Sequence, residues 1–177
     1  MNIICFGDSN TYGYDPRSYL GSRYDSHSRW VDILVEETGW TVCNMGQNGR
    51  EIPSTTPDFP ADTDLLIVML GTNDLLQGRS PEQAAERLER FLADISLDRS
   101  KILVIAPPPV KRGAWVPDQQ LIDDSRTFAR LCQALAEHLG IRFADAGKWD
   151  IPLAYDGVHF TEQGHRAFAA ELLEELK

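Results

Sequence analysis

Along the chain, short apolar runs alternate with longer stretches whose apolar residues recur every three or four positions. The runs are NIICF (2–6), TVCNM (41–45), DLLIVML (64–70), KILVIAP (101–107) and IRFAD (141–145). They are near-continuously apolar and rich in Ile and Val, the pattern of strands buried on both faces. Among the stretches between them, SPEQAAERLERFLADI (80–95) offers Ser80 as N-cap, Pro81 at the first helical position and Gln83 to close a capping box. Its Ala84, Leu88, Phe91, Leu92 and Ile95 fall on one helical face. From 121 to 139, Leu121, Phe128, Cys132, Leu135 and Leu139 form a similar stripe, ended by Gly140. A further helix contains Trp30, Ile33 and Leu34 and ends at Gly39. The last starts near Thr161 and carries His165, Phe168, Ala169, Leu172 and Leu176 on one side.

Strands separated by helices require crossover connections, which are right-handed and lay helices on both faces of a parallel sheet. The expectation is an α/β fold, a flavodoxin-like three-layer α/β/α sandwich on a five-stranded parallel sheet of order 2-1-3-4-5. Residues 1–177 carry no repeat, low-complexity tract or linker, and read as one domain.

In such a sheet, ligands bind beyond the carboxyl ends of the strands. Here those ends read GDSN (7–10), NMGQNGR (44–50), GTND (71–74), APPPVKRGAW (106–115) and, before the last helix, YDGVHFTEQGH (155–165). One polar strand end is turn chemistry. Several on one edge are a candidate site.

Ser9 ends the first strand, and a serine hydroxyl becomes a nucleophile only when a base takes its proton. His159 is the convincing base, because it lies on the same edge with Asp156 three residues before it. The carboxylate can hold one ring nitrogen and leave the other facing Ser9. His27, His138 and His165 lack such a partner. Acyl transfer also needs donors for the developing oxyanion. The Ser9 N–H, the Gly49 N–H and the Asn73 side chain are the candidates, although NMGQNGR also offers Gly46. The chain order Ser, Asp, His is that of α/β-hydrolases, but no G-x-S-x-G elbow is present.

Composition narrows the partners. With 27 acidic and 17 basic residues, the formal charge is -10, which disfavours nucleic acid, anionic membranes and polyanionic substrates. No stretch approaches the length of a membrane helix, and no leader precedes the first strand, so a cytoplasmic location is expected. The cysteines (Cys5, Cys43, Cys132) sit in apolar segments and read as reduced core thiols. No His, Asp and Glu set has metal-ligand spacing, so no metal is expected.

The blocks FGDSNTYG, NMGQNGR, LGTND and DGVHFTEQGH occur in that order from residue 3 to about 165. Together they resemble the SGNH hydrolases, the GDSL esterase/lipase family, and within it the compact bacterial arylesterase and acyltransferase branch. The resemblance implies a Ser-His-Asp triad of Ser9, His159 and Asp156, an oxyanion hole of Ser9, Gly49 and Asn73, and no cofactor. It implies a serine esterase acting on small carboxylic esters with short acyl or aryl groups. Acyl transfer to alcohols and deacetylation of a sugar or metabolite are alternatives on the same site.

Tyr12, Tyr14, Trp115, Tyr155 and Phe160 are the candidate pocket walls around a small-molecule ester. Asp8 and Asp74 read as loop-holding acids. Phosphoryl transfer through Asp8 would call for a second acid at position 10, where Asn stands. A non-catalytic binding module would be the reading had Ser9 or His159 been replaced. The sequence leaves the acyl group, the alcohol and any homo-oligomeric state open.

Overall fold

A computed structural model describes residues 1–18 and 20–177. Its strands are β1 (Asn2–Gly7), β2 (Thr41–Gly46), β3 (Leu65–Met69), β4 (Ile102–Ala106) and β5 (Arg142–Asp145). All are parallel, in the order β2-β1-β3-β4-β5. The helices are α1 (Ser9–Tyr12), α2 (Trp30–Thr38), α3 (Thr72–Leu76), α4 (Pro81–Ala93), α5 (Gln119–Leu139) and α6 (Glu162–Glu175). Fold class and strand order agree with the expectation from the sequence.

The three layers follow from side-chain alternation along the strands. Ile4, Phe6, Leu66, Val68, Ile102 and Val104 face Leu88, Phe91 and Leu92 of α4 and Phe128 and Cys132 of α5. Ile3, Cys5, Leu65, Ile67, Leu103 and Ile105 face Trp30, Val31 and Leu34 of α2 and Phe168 and Leu172 of α6. A β3 whose five residues are all buried has no polar face, which is why its sequence shows no alternation.

Three details differ from the sequence expectation. Helices α1 and α3 are too short to show an apolar period, and each starts in a strand-end turn. Helix α5 begins at Gln119, two residues before the expected start, because the Asp118 carboxylate accepts the Leu121 amide and caps it. Cys43 is exposed, since β2 is an edge strand with one flank open; all three cysteines are free thiols. Among the described residues, no helix is long and apolar enough to cross a membrane.

Candidate active site

The β1 strand stops at Gly7, and Asp8 caps α1 by accepting the Asn10 amide at 2.9 Å. Ser9 is the first residue of that helix, so its N–H has no partner within the helix. At the far end of the sheet, the loop after β5 carries Asp156 and His159. Fold and local turn bring the three together. Ser9 Oγ lies 3.0 Å from His159 Nε2, and His159 Nδ1 lies 2.7 Å from Asp156 Oδ2. All are inside the protein: Ser9 is 6%, Asp156 1% and His159 3% exposed.

Asp156 is held by its own turn. Its Oδ1 accepts the amides of Val158 at 2.9 Å and His159 at 3.0 Å, leaving Oδ2 for the ring. Burial pushes the Asp156 carboxyl up, but the imidazole and the two amides outweigh burial and hold it below the usual carboxylate range. An ionised carboxylate only accepts, so Nδ1 carries the ring proton and Nε2 presents its lone pair to Ser9.

The 111–116 segment backs this turn. Lys111 N–H donates to Gly157 O at 2.9 Å and Trp115 N–H to Asp156 O at 3.0 Å. The approach requires glycine at 113, where a Cβ would stand 2.4 Å from the Asp156 carbonyl carbon. The same segment sets Trp115 edge-on to His159, with ring centroids 5.0 Å apart, while Tyr14 covers the imidazole at 4.6 Å.

Of the other two candidate oxyanion residues, Gly49 sits on a loop tied to β1 and Asn73 on the first turn of α3. Gln47 N–H and an Arg50 guanidinium N–H both donate to Gly7 O, at 3.1 and 3.0 Å, and the same guanidinium reaches Met45 O. Gly49 lies between them at φ +71°, in an open turn. Gly46 instead packs under α1, where a Cβ would meet the Tyr12 amide nitrogen. The Asn73 amide donates one N–H to Arg50 O at 3.0 Å, which leaves its second N–H free to serve a ligand.

Two buried acids shape these loops. Asp74 is wholly buried: its Oδ2 accepts the Ile52 amide at 2.9 Å and its Oδ1 faces Arg87 Nε at 3.0 Å, fastening the segment after Gly49 to α3. Burial pushes Asp8 up to about 6, against the Asn10 amide and the nearby His159 and Arg50.

Of the five candidate pocket residues, Tyr14 and Trp115 touch the imidazole. Tyr12 lies under the Arg23 guanidinium at 4.5 Å, and the exposed Tyr155 donates its hydroxyl to Pro16 O at 2.9 Å. Phe160 is a core residue, not a pocket wall. The backbone turns it away from the cleft at the residue after His159, and it packs between Phe168 and His165, each 5.3 Å away. His165 belongs to the same core; burial pushes its imidazole down to about 3, so it stays neutral.

Beside Trp115 a groove of about 350 Å³ opens, lined by Leu75, Leu76, Pro117 and Asp118. Leu75 and Leu76 were not foreseen as lining residues, although they follow Asn73 and Asp74 on α3. A larger cavity of about 840 Å³ between α2 and α6, walled by Trp40, Leu173 and Leu176, holds none of the candidate residues.

A family model described as GDSL-like Lipase/Acylhydrolase matches residues 5–167. The chain belongs to this family. It is 24% identical to the GDSL esterase/lipase CPRD49 of Arabidopsis thaliana, over 99% of this chain and 78% of that protein. The native aryl esterase of M. smegmatis superposes with a TM-score of 0.77 at 28% identity, covering 99% of this chain and 97% of that one. A carbohydrate acetylesterase family member from Sinorhizobium meliloti gives 0.80 at 25% identity, over 99% and 96% of the two chains. As a GDSL family member, the chain is an esterase/acylhydrolase, a carboxylic ester hydrolase.

Proposed function

We propose that this GDSL enzyme hydrolyses small esters with short acyl or aryl groups, through an acyl-enzyme on Ser9. The observation that carries the reading is the unbroken relay from Ser9 Oγ to His159 Nε2 at 3.0 Å and from Nδ1 to Asp156 at 2.7 Å. Ser9 Oγ attacks the ester carbonyl carbon as its proton passes to Nε2. The negative charge then develops on the carbonyl oxygen, where the Ser9 N–H, the Gly49 N–H and the free N–H of Asn73 are the proposed donors. Collapse of the intermediate breaks the bond to the leaving oxygen, which takes the proton from His159. Water repeats the cycle on the acyl-enzyme, with His159 again as base, and releases the acid. An alcohol in place of that water would give acyl transfer with no other change.

Tyr14 and Trp115, set against the His159 ring, support a small apolar acyl or aryl group. The aryl esterase at 28% identity favours the same substrate class. The test is turnover of p-nitrophenyl esters from C2 to C12, with a fluorophosphonate probe to report on Ser9. The expected result is a maximum at C2 to C4 and stoichiometric labelling of Ser9. A maximum at C8 or beyond would overturn the short-acyl assignment, and inertness to both reagents would overturn the triad.

Asn73→Ala is expected to lower kcat about 10²–10³-fold with KM little changed, the loss typical of one oxyanion donor. Steady-state kinetics on p-nitrophenyl acetate measure it. A fall of less than threefold would remove Asn73 from the oxyanion site.

A further inference from the structure

Asn10 follows the proposed nucleophile, and its side chain takes no part in the mechanism above. It is 4% exposed, and each of its polar groups has a partner. Its amide N–H is held by Asp8 at 2.9 Å, and its carbonyl by the indole N–H of Trp30 at 2.9 Å. Its side-chain oxygen accepts the Phe160 amide at 2.9 Å, and its side-chain nitrogen donates to the Val158 carbonyl at 3.2 Å. Phe160 and Val158 are the residues on either side of His159.

We propose that Asn10 is a positioning residue for His159, a clamp that grips the backbone on both sides of the base and fixes it relative to the adjoining Ser9. This rests on the reading of Ser9 and His159 as nucleophile and base. A carboxamide offers a donor and an acceptor side by side, so it mimics one rung of a strand pairing against the 158–160 backbone. The other backbone groups of this segment are already taken. The Val158 and His159 amides go to Asp156 Oδ1, and the His159 carbonyl accepts the Ala154 amide at 2.7 Å. The two bonds from Asn10 are therefore the direct ties between the nucleophile's helix and the backbone of the base. They cross 148 and 150 residues of sequence. Leucine at this position would keep the bulk but leave the buried Phe160 N–H and Val158 C=O without partners.

The experiment compares the full-length wild type with Asn10→Ala, which removes both bonds, and Asn10→Asp, which keeps the acceptor and loses the donor. Ser80→Ala, which removes the cap of α4 far from the site, serves as the stability control. Kinetics on p-nitrophenyl acetate, thermal melting and the low-field proton resonance of the His159 Nδ1–H are read for each. Both Asn10 variants are expected to lose about 10–10²-fold in kcat with KM within threefold, as a shift of up to an ångström between reacting groups would produce. Their low-field resonance should broaden or move. Ser80→Ala should lower Tm by a few degrees and leave kcat and the resonance unchanged.

A kcat within threefold of wild type in an Asn10 variant that folds, or an unchanged resonance, would overturn the clamp. If Asn10→Ala does not fold, Asn10→Asp decides by the same criteria. A wild type inert to both ester and fluorophosphonate would be a failure of the triad itself. The resonance would still judge the clamp, and an unaltered signal in the variants would sink it.

Discussion

Ser9→Ala is expected to lower kcat about 10⁶-fold, the order of loss seen when a serine hydrolase is stripped of its nucleophile. The substitution removes one oxygen whose partner is His159 Nε2. It opens no cavity beyond that atom and breaks no cap, since α1 is capped by Asp8. The fold should therefore survive with a stability change of about 1 kcal/mol or less. Single-turnover kinetics together with thermal melting separate the two effects. Retention of more than one part in a hundred of the activity, with the protein folded, would assign the nucleophile elsewhere.

Asp156→Asn should reduce kcat about 10⁴-fold, for a reason that lies in proton placement rather than charge alone. The Asp156 carboxylate accepts three hydrogen bonds: two backbone amides on Oδ1 and the imidazole on Oδ2. Asparagine has a single acceptor oxygen. If that oxygen keeps the two backbone amides, the NH₂ group faces Nδ1 and forces the ring proton onto Nε2. The ring then donates to Ser9 Oγ and cannot take its proton. If the oxygen turns to the ring, two buried amides meet a donor and the turn deforms. Either way the base is disabled while the polypeptide remains folded. Kinetics over pH 6–9, with near-ultraviolet circular dichroism to confirm packing, would measure this. A loss of less than tenfold would leave Asp156 as a turn acid with no orienting part.

How far the sequence disclosed this arrangement can be judged residue by residue. The strands were legible because burial on both faces writes an uninterrupted apolar run, and α4 because Ser80, Pro81 and Gln83 act locally. Ser9, Asp156 and His159 stood out because polar residues at strand ends have little structural reason to be a serine, an acid and a histidine together. Phe160 misled for a geometric reason. Adjacent residues point in different directions, so the neighbour of a cleft histidine is well placed for the core. Asp74 was legible as a loop-holding acid, but Asn10 and Arg50 gave no signal of their organising parts. Each grips main-chain groups, and which carbonyl or amide lies within reach depends on distant segments meeting. The resemblance to the SGNH hydrolases reached the four positions that name them, Ser9, Gly49, Asn73 and His159, but was silent about these supports.

The separation of Ser9 from His159 has a consequence for how the enzyme comes into being. The two residues are 150 positions apart, and β3 and β4 stand between β1 and β5 in the sheet. Closing so long a loop exacts its entropy before any contact rewards it, and long-range parallel pairing forms slowly. On the ribosome, Ser9 emerges early and waits without a base while the rest of the sheet is made. On the proposed mechanism, the nascent chain is chemically inert until His159 has been made. Esterase activity begins only once the loop after β5 lies beside α1.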